Sequence, residues 1–271
     1  MTHAYFWKVV EQLQLSCPFF RIEVMEQDLK TLMPHSRPRV WVRGLRVDCL
    51  PSPESQLPPP LCLAEVCQQK LLLTDFLEAD LPNYDPSQLT ATMRGNLALY
   101  KELAKEALSQ DGTVGEVMAV ELDRNPLRQY GGAVSFDQIP SLRTQGPKIF
   151  LVSLNDLDKG WDKQRFHRYL SLSERFLLQG HSAVLKKHFK TNSAATKASG
   201  NAFNVLQMAC MLSSLLEAAA RTGALTREGG KVLSTNDLCK LLSSQGPPQC
   251  PVLQRSTAEP VSGQKRKRVK I

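Results

Sequence analysis

Arg39-Val40-Trp41-Val42-Arg43-Gly44-Leu45-Arg46-Val47, short and rich in valine with a tryptophan, reads as a β-strand with one buried face. Upstream, Phe20, Ile22 and Val24 alternate with Arg21 and Glu23, which predicts a second strand. Before it, Phe6, Val9, Val10 and Leu13 fall at helical spacing, so residues 5–15 read as an amphipathic helix that Cys17-Pro18 ends. Helix, strand, short loop and strand is the order found at one edge of an α/β sheet, and residues 1–50 are assigned to it.

Working toward the C-terminus, prolines at 51, 53, 58, 59 and 60 exclude a helix or central strand over 50–61 and predict a stiff connection. Asn96 is placed to cap a helix running to Leu108, and residues 117–122 and 148–154 read as strands. Ser171-Leu172-Ser173-Glu174 is a capping box, and Gly180 sits where a helix-ending glycine belongs. A longer helix is expected over 202–222, with Val205, Met208, Leu212, Leu215 and Ala219 as its apolar stripe. Beyond about Arg227 the chain is polar and ends in Lys265-Arg266-Lys267-Arg268-Val269-Lys270. That dense terminal basic run suits a nuclear-import signal as well as a solvated tail.

With 42% hydrophobic and 22% charged residues, the 271-residue chain has globular composition. It contains no apolar run long enough to span a bilayer. Its seven cysteines (17, 49, 62, 67, 210, 239 and 250) are scattered and odd in number, which fits a reduced intracellular protein. Cys62 and Cys67 lack the second pair or histidine cluster of a zinc site, so no metal is expected. The net charge of +8 favours polyanionic partners.

Two clusters carry chemistry. Pro34-His35-Ser36-Arg37-Pro38-Arg39 enters the strand with two arginines two apart, which project to one side and can donate paired hydrogen bonds to a carbonyl, phosphate or carboxylate. The same pattern suits a solvated strand edge. Gly200-Asn201-Ala202, at the expected start of the long helix, suits an anion on free amides or a simple cap.

Taken in order, these clusters resemble the cytosine-5 DNA methyltransferase family. Residues 34–44 match its Pro-Gln-x-Arg-x-Arg strand motif, with His35 replacing Gln. Arg168-Tyr169-Leu170-Ser171-Leu172-Ser173-Glu174 and Gln179-Gly180 match its Arg-x-Leu-(Thr/Ser)-x-x-Glu and Gln-Gly motif. Gly200-Asn201-Ala202-Phe203-Asn204-Val205-Leu206 matches its last motif, and Pro140-Ser141-Leu142-Arg143-Thr144 resembles the segment leaving the variable recognition region, here about 56–145. The resemblance covers residues 5–222. It implies an α/β fold: part of a Rossmann-like, S-adenosylmethionine-dependent methyltransferase domain (1–50 and 146–226), an inserted small target-recognition lobe (51–145) and a flexible basic tail (227–271).

By the same resemblance, Arg39 bonds the carbonyl of a flipped cytosine and Arg37 supports it. Arg143, Thr144, Arg168 and Glu174 support recognition, while Gly200, Asn201 and Ala202 lie beside the methyl donor's carboxylate. The family's Phe-x-Gly-x-Gly, Pro-Cys and Glu-Asn-Val motifs do not occur in this sequence. The implied function is therefore one half of a split or truncated methyltransferase that uses S-adenosylmethionine only when a catalytic half is supplied. The alternative is a non-catalytic nucleic-acid-binding module of the same origin. Either reading implies DNA as partner, with tRNA as the alternative substrate of one branch of the family, and a nuclear location.

Overall fold

The computed structural model describes residues 4–28, 30, 33–35, 38–61, 71–110, 115–128, 135–144 and 148–222. Arg37 and the basic tail, both singled out in the sequence, lie outside the described residues. The fold is mixed α/β, with two small antiparallel sheets. No single helix among the described residues is long and apolar enough to cross a membrane.

The helix and strands expected at the N-terminus form: α1 (Ala4–Ser16), β1 (Phe20–Gln27) and β2 (Arg39–Arg46). β1 and β2 pair antiparallel as an isolated ribbon, with Glu23 opposite Arg43 and Gln27 opposite Arg39. A two-stranded ribbon is marginal alone and needs packing against other elements. One face supplies it. Leu45 joins Cys49, Leu50 and Leu57 against Leu215 and Ala219 of the last helix. The buried Arg43 guanidinium donates to the Glu23 carboxylate and to the carbonyls of Pro58 and Met211. The proline-rich segment is thus anchored rather than free: Pro58 O also accepts from the Ser214 hydroxyl, and Leu61 N–H donates to Cys210 O.

A four-stranded sheet lies at the centre, in the order β4 (Ser135–Phe136), β3 (Val117–Glu121), β5 (Ile149–Ser153), β6 (His167–Tyr169), with every pair antiparallel. Every residue of β3 and β5 is buried, which explains their unbroken apolar runs. One face, with Met118, Val120, Phe150 and Val152, packs on Leu97, Tyr100 and Ala104 of α2 (Ala91–Gln110). The other, with Val117, Ala119, Ile149 and Leu151, packs on Met33, Leu73, Phe76, Ile139, Leu178 and Cys210.

Two expectations change here. Asn96 is not a cap but a buried interior residue of α2, donating to Leu122 O at 2.7 Å. The sheet also pairs β3 and β4, from the segment expected to be the recognition lobe, with β5 and β6 from beyond residue 146. The fully buried strands carry no alternation that could have joined them to either side in the sequence.

The remaining helices are α3 (Leu172–Leu177), α4 (Asn192–Asn201) and α5 (Val205–Arg221), with a 3-10 turn over Ala183–His188. α5 returns to pack on β2.

His167 on β6 is buried, 5.0 Å from the Phe150 ring. Its Nδ1 lies 3.0 Å from the Tyr84 carbonyl and so must carry the proton, while Nε2 is buried without a partner. Burial holds its pKa below the ordinary 6.5, outweighing the Tyr84 bond, and Lys101 pushes the same way. A base depressed in the folded state contributes stability that is present above the unfolded pKa and lost as pH falls below it. Urea unfolding should therefore show stability dropping between about pH 7.5 and 5.5, and His167→Phe should shrink that drop even though the variant is less stable at neutral pH.

Candidate functional site

The three motif clusters of the sequence meet at one backbone carbonyl. Leu178 O lies 3.0 Å from Nε2 of His35, from the first cluster, and accepts from Nδ2 of Asn204, from the last, at 3.2 Å. Next to it, Gln179 O accepts the Val205 amide at 3.0 Å. Leu178, Asn204 and His35 are all fully buried or nearly so. Gly180 takes a left-handed backbone conformation (φ +72°), which turns the chain away from α3; a Cβ there would sit 3.3 Å from the Val205 Cβ.

The capping box forms as expected: the Ser171 hydroxyl accepts the Glu174 amide, and the Glu174 carboxylate accepts the Ser171 amide. The carboxylate does more than cap. Its Oε1 accepts from Arg168 Nη2 at 2.7 Å and from the Glu78 amide at 2.8 Å. Its Oε2 accepts from Arg168 Nη1 at 2.9 Å and from the Ser171 amide at 2.7 Å. Arg168 Nη2 also donates to Glu78 O at 2.6 Å. Both side chains are buried. With four donors on two oxygens, Glu174 is saturated. The pair is a clamp that joins β6, α3 and the chain at Glu78, leaving no acceptor lobe for a ligand. Burial, and secondarily the Glu174 charge, push the Glu78 carboxyl up.

Gly200-Asn201-Ala202 is placed differently from expectation. It ends α4 rather than opening the long helix. The Ala202 amide donates back to Ala198 O, and Asn204 is the cap of α5, accepting from the Gln207 amide at 3.1 Å. A helix C-terminus carries partial negative charge and does not suit an anion. The reason lies in residues whose caps the sequence left ambiguous: the Thr191 hydroxyl accepts the Ala194 amide and starts α4, so the helix is already ending at Gly200.

Gly200 has a different function. A Cβ there would lie 2.4 Å from backbone atoms of Arg143 and Thr144, so only glycine admits this approach. The structure thus brings Arg143, Thr144 and Gly200 together. Arg175, unremarked in the sequence, pins the contact by donating to Ser199 Oγ at 3.0 Å and to Arg143 O at 2.9 Å.

Arg39, at the start of β2, is half-buried, and its Nη1 donates to Pro38 O at 2.8 Å. Two residues on, and therefore on the same face, the Trp41 ring lies 5.6 Å from that of Phe203. Asn201 is exposed. Arg43, which organises the ribbon, was also missed as a functional residue in the sequence. The signal that identifies it is an opposite charge, Glu23, directly across the pair.

Among the described residues no group of histidine, cysteine and carboxylate side chains is placed to hold a metal. Cys17 lines an open, mostly apolar groove of about 280 Å³ with Leu13, Phe20, Ile22, Val42, Arg43 and Gly44. Cys49 and Cys210 are buried. No protein-family model matches this chain, and no curated protein shows significant similarity to it.

The clamp can be tested directly. Glu174→Gln leaves the buried Arg168 uncompensated and should cost about 3–5 kcal/mol in urea unfolding. Arg168→Met combined with Glu174→Gln should lose less than the sum of the single changes by more than about 1 kcal/mol. Strictly additive losses would show that the two side chains do not act as a pair.

Proposed function

We propose that this chain is a split or truncated half of a cytosine-5 methyltransferase, the half that carries recognition, inactive until the catalytic half is supplied. The observation that carries the reading is the convergence at Leu178 O. Three segments, each resembling one motif of that family in the same order, meet through His35, Gln179 and Asn204, the first 143 residues before Leu178 and the last 26 residues after it.

In this reading the fold completes a Rossmann-like methyltransferase domain only together with its partner. The outer face of the ribbon supports that. Phe20 and Val42, with Leu13 of α1, are exposed and line the groove at Cys17, and Trp7, Leu15 and Val40 on the same elements are exposed too. Contiguous apolar surface of this kind marks an interaction site.

The reaction needs the target cytosine out of the stack, because its ring carbon is inaccessible inside a duplex. A thiolate adds to the ring, and S-adenosylmethionine supplies the methyl group. This chain contributes orientation: Arg39 donates to the flipped base, and Arg168 with Glu174 holds the recognition segment at Glu78 against α3. The backbone at Gly200–Ala202 does not fit the donor's carboxylate, since the Ala202 amide is already used and the helix dipole there has the wrong sign. The donor is therefore held by the catalytic half.

The isolated chain should transfer no methyl group. Co-expressed with a half carrying the Pro-Cys and Glu-Asn-Val motifs, it should support radiolabelled methyl transfer to duplex DNA or tRNA. Arg39→Ala should slow that reaction by on the order of 100-fold. Methyl transfer by the isolated chain, lost on changing one of its own cysteines, would refute the proposal. A tight complex that binds nucleic acid but transfers nothing would identify a non-catalytic binding module.

A further inference from the structure

The side of the molecule built around α3 carries positive charge with little to balance it. Between Glu174 and Glu217 the chain has no acidic residue, yet contains Arg175, Lys186, Lys187, Lys190 and Lys197. The segment between Asp137 and Asp156 is also free of acids and contributes Arg143. The fold gathers these stretches on one support. The 3-10 turn Ala183–His188 and α4 both pack on α3, the Phe189 ring stacks on Phe176 at 5.6 Å, and Gly200 lies against the backbone of Arg143 and Thr144. The four lysines and Arg143 are exposed, and none forms an ion pair among the described residues. Glu78 is close enough to Lys186 to feel its charge, but it also feels Arg168.

Beneath this surface lies Arg175, buried, with its guanidinium held by two neutral acceptors, Ser199 Oγ and Arg143 O. Burial lowers its pKa, and among the described residues no carboxylate offsets the cost. A buried cation without a counterion is unfavourable unless an anion approaches. Around the lysines, Ser182, Thr191, Asn192 and Ser193 are exposed and offer hydroxyl and amide donors of the kind that bond phosphate oxygens. Over 181–200, Val184 is the one large hydrophobic residue exposed, so the face lacks the apolar anchors of a membrane-binding surface.

We propose that residues 141–144, the Ala183–His188 turn and α4, arranged over Arg175, form the docking face for the phosphate backbone of duplex DNA. The proposal rests on the reading of the chain as a recognition half and goes beyond it by separating backbone binding from the base-orienting Arg39. Phosphate contacts set affinity and register, while base contacts set specificity.

The test uses the full chain and a fluorescent duplex of about 30 base pairs, with binding followed by anisotropy across a salt titration. The variant combining Lys186→Gln, Lys187→Gln and Lys190→Gln should lower the salt slope by roughly 2–3, since each lost phosphate contact removes about 0.9. A control combining Lys8→Gln, Lys30→Gln and Lys163→Gln, three lysines outside this face, should leave the slope near that of the natural chain. Equal slopes for the two variants would overturn the proposal. So would no binding of the natural chain to the duplex, or tighter binding to phosphatidylserine vesicles than to DNA. The functional reading is scored separately, by methyl transfer in the reconstituted pair. If that pair is active while the two slopes agree, the face is wrong and the function stands. If the slope falls and no catalytic half restores methyl transfer, the face stands and the methyltransferase reading falls.

Discussion

Glu174 is buried with a full charge, and every part of the structure around it answers that constraint. Its two oxygens accept from Arg168 twice, from the Ser171 amide and from the Glu78 amide. A pair buried this deeply adds little net stability over a well-packed apolar substitute, but once one partner is present the other is obligatory. What the pair supplies is geometry. It sets the start of α3, and α3 in turn presents Leu178 O to His35 and Asn204, Phe176 to Phe189, and Arg175 to Ser199 and Arg143.

The arginines divide by depth. Arg43, Arg168 and Arg175 are buried, and each uses its planar fork to bind carbonyl or carboxylate oxygens from distant segments. Arg39 and Arg143 lie nearer the surface, as do the lysines of the Ala183–His188 turn and α4. The excess positive charge of the chain is therefore not one pool: part of it is fastened into the fold, and the rest faces outward on the side supported by α3.

The ribbon of β1 and β2 has two unlike faces. The inner one is closed by Leu45 and Arg43 against α5, and the outer one keeps Phe20, Val40 and Val42 partly exposed beside α1. Among the side chains of α1 that are described, Val10 alone is fully buried, although Val9 and Leu13 share its predicted stripe. On the proposed reading, this open stripe and the sheet face beside it are where the catalytic half docks.

Local pattern alone determined α1, β1, β2, the two buried strands of the central sheet and the capping box of α3, because each depends on side-chain periodicity or on hydrogen bonds that span only three residues. Arg168 and Glu174 sit in one short motif, yet the ion pair between them was not read from it, since the capping box already accounted for Glu174. Tertiary structure decided what local pattern leaves degenerate. Asn96 and Asn204 are equally good caps in sequence, yet packing against Leu122 buries the first inside α2, and Leu178 O holds the second at the start of α5. Gly200 fits a helix start or end alike until the backbone of Arg143 and Thr144 comes within reach of it. The meeting of segments around residues 35, 178 and 204 and the uncompensated burial of Arg175 are long-range facts. They follow from how the helices close on the sheet, which no window of sequence contains.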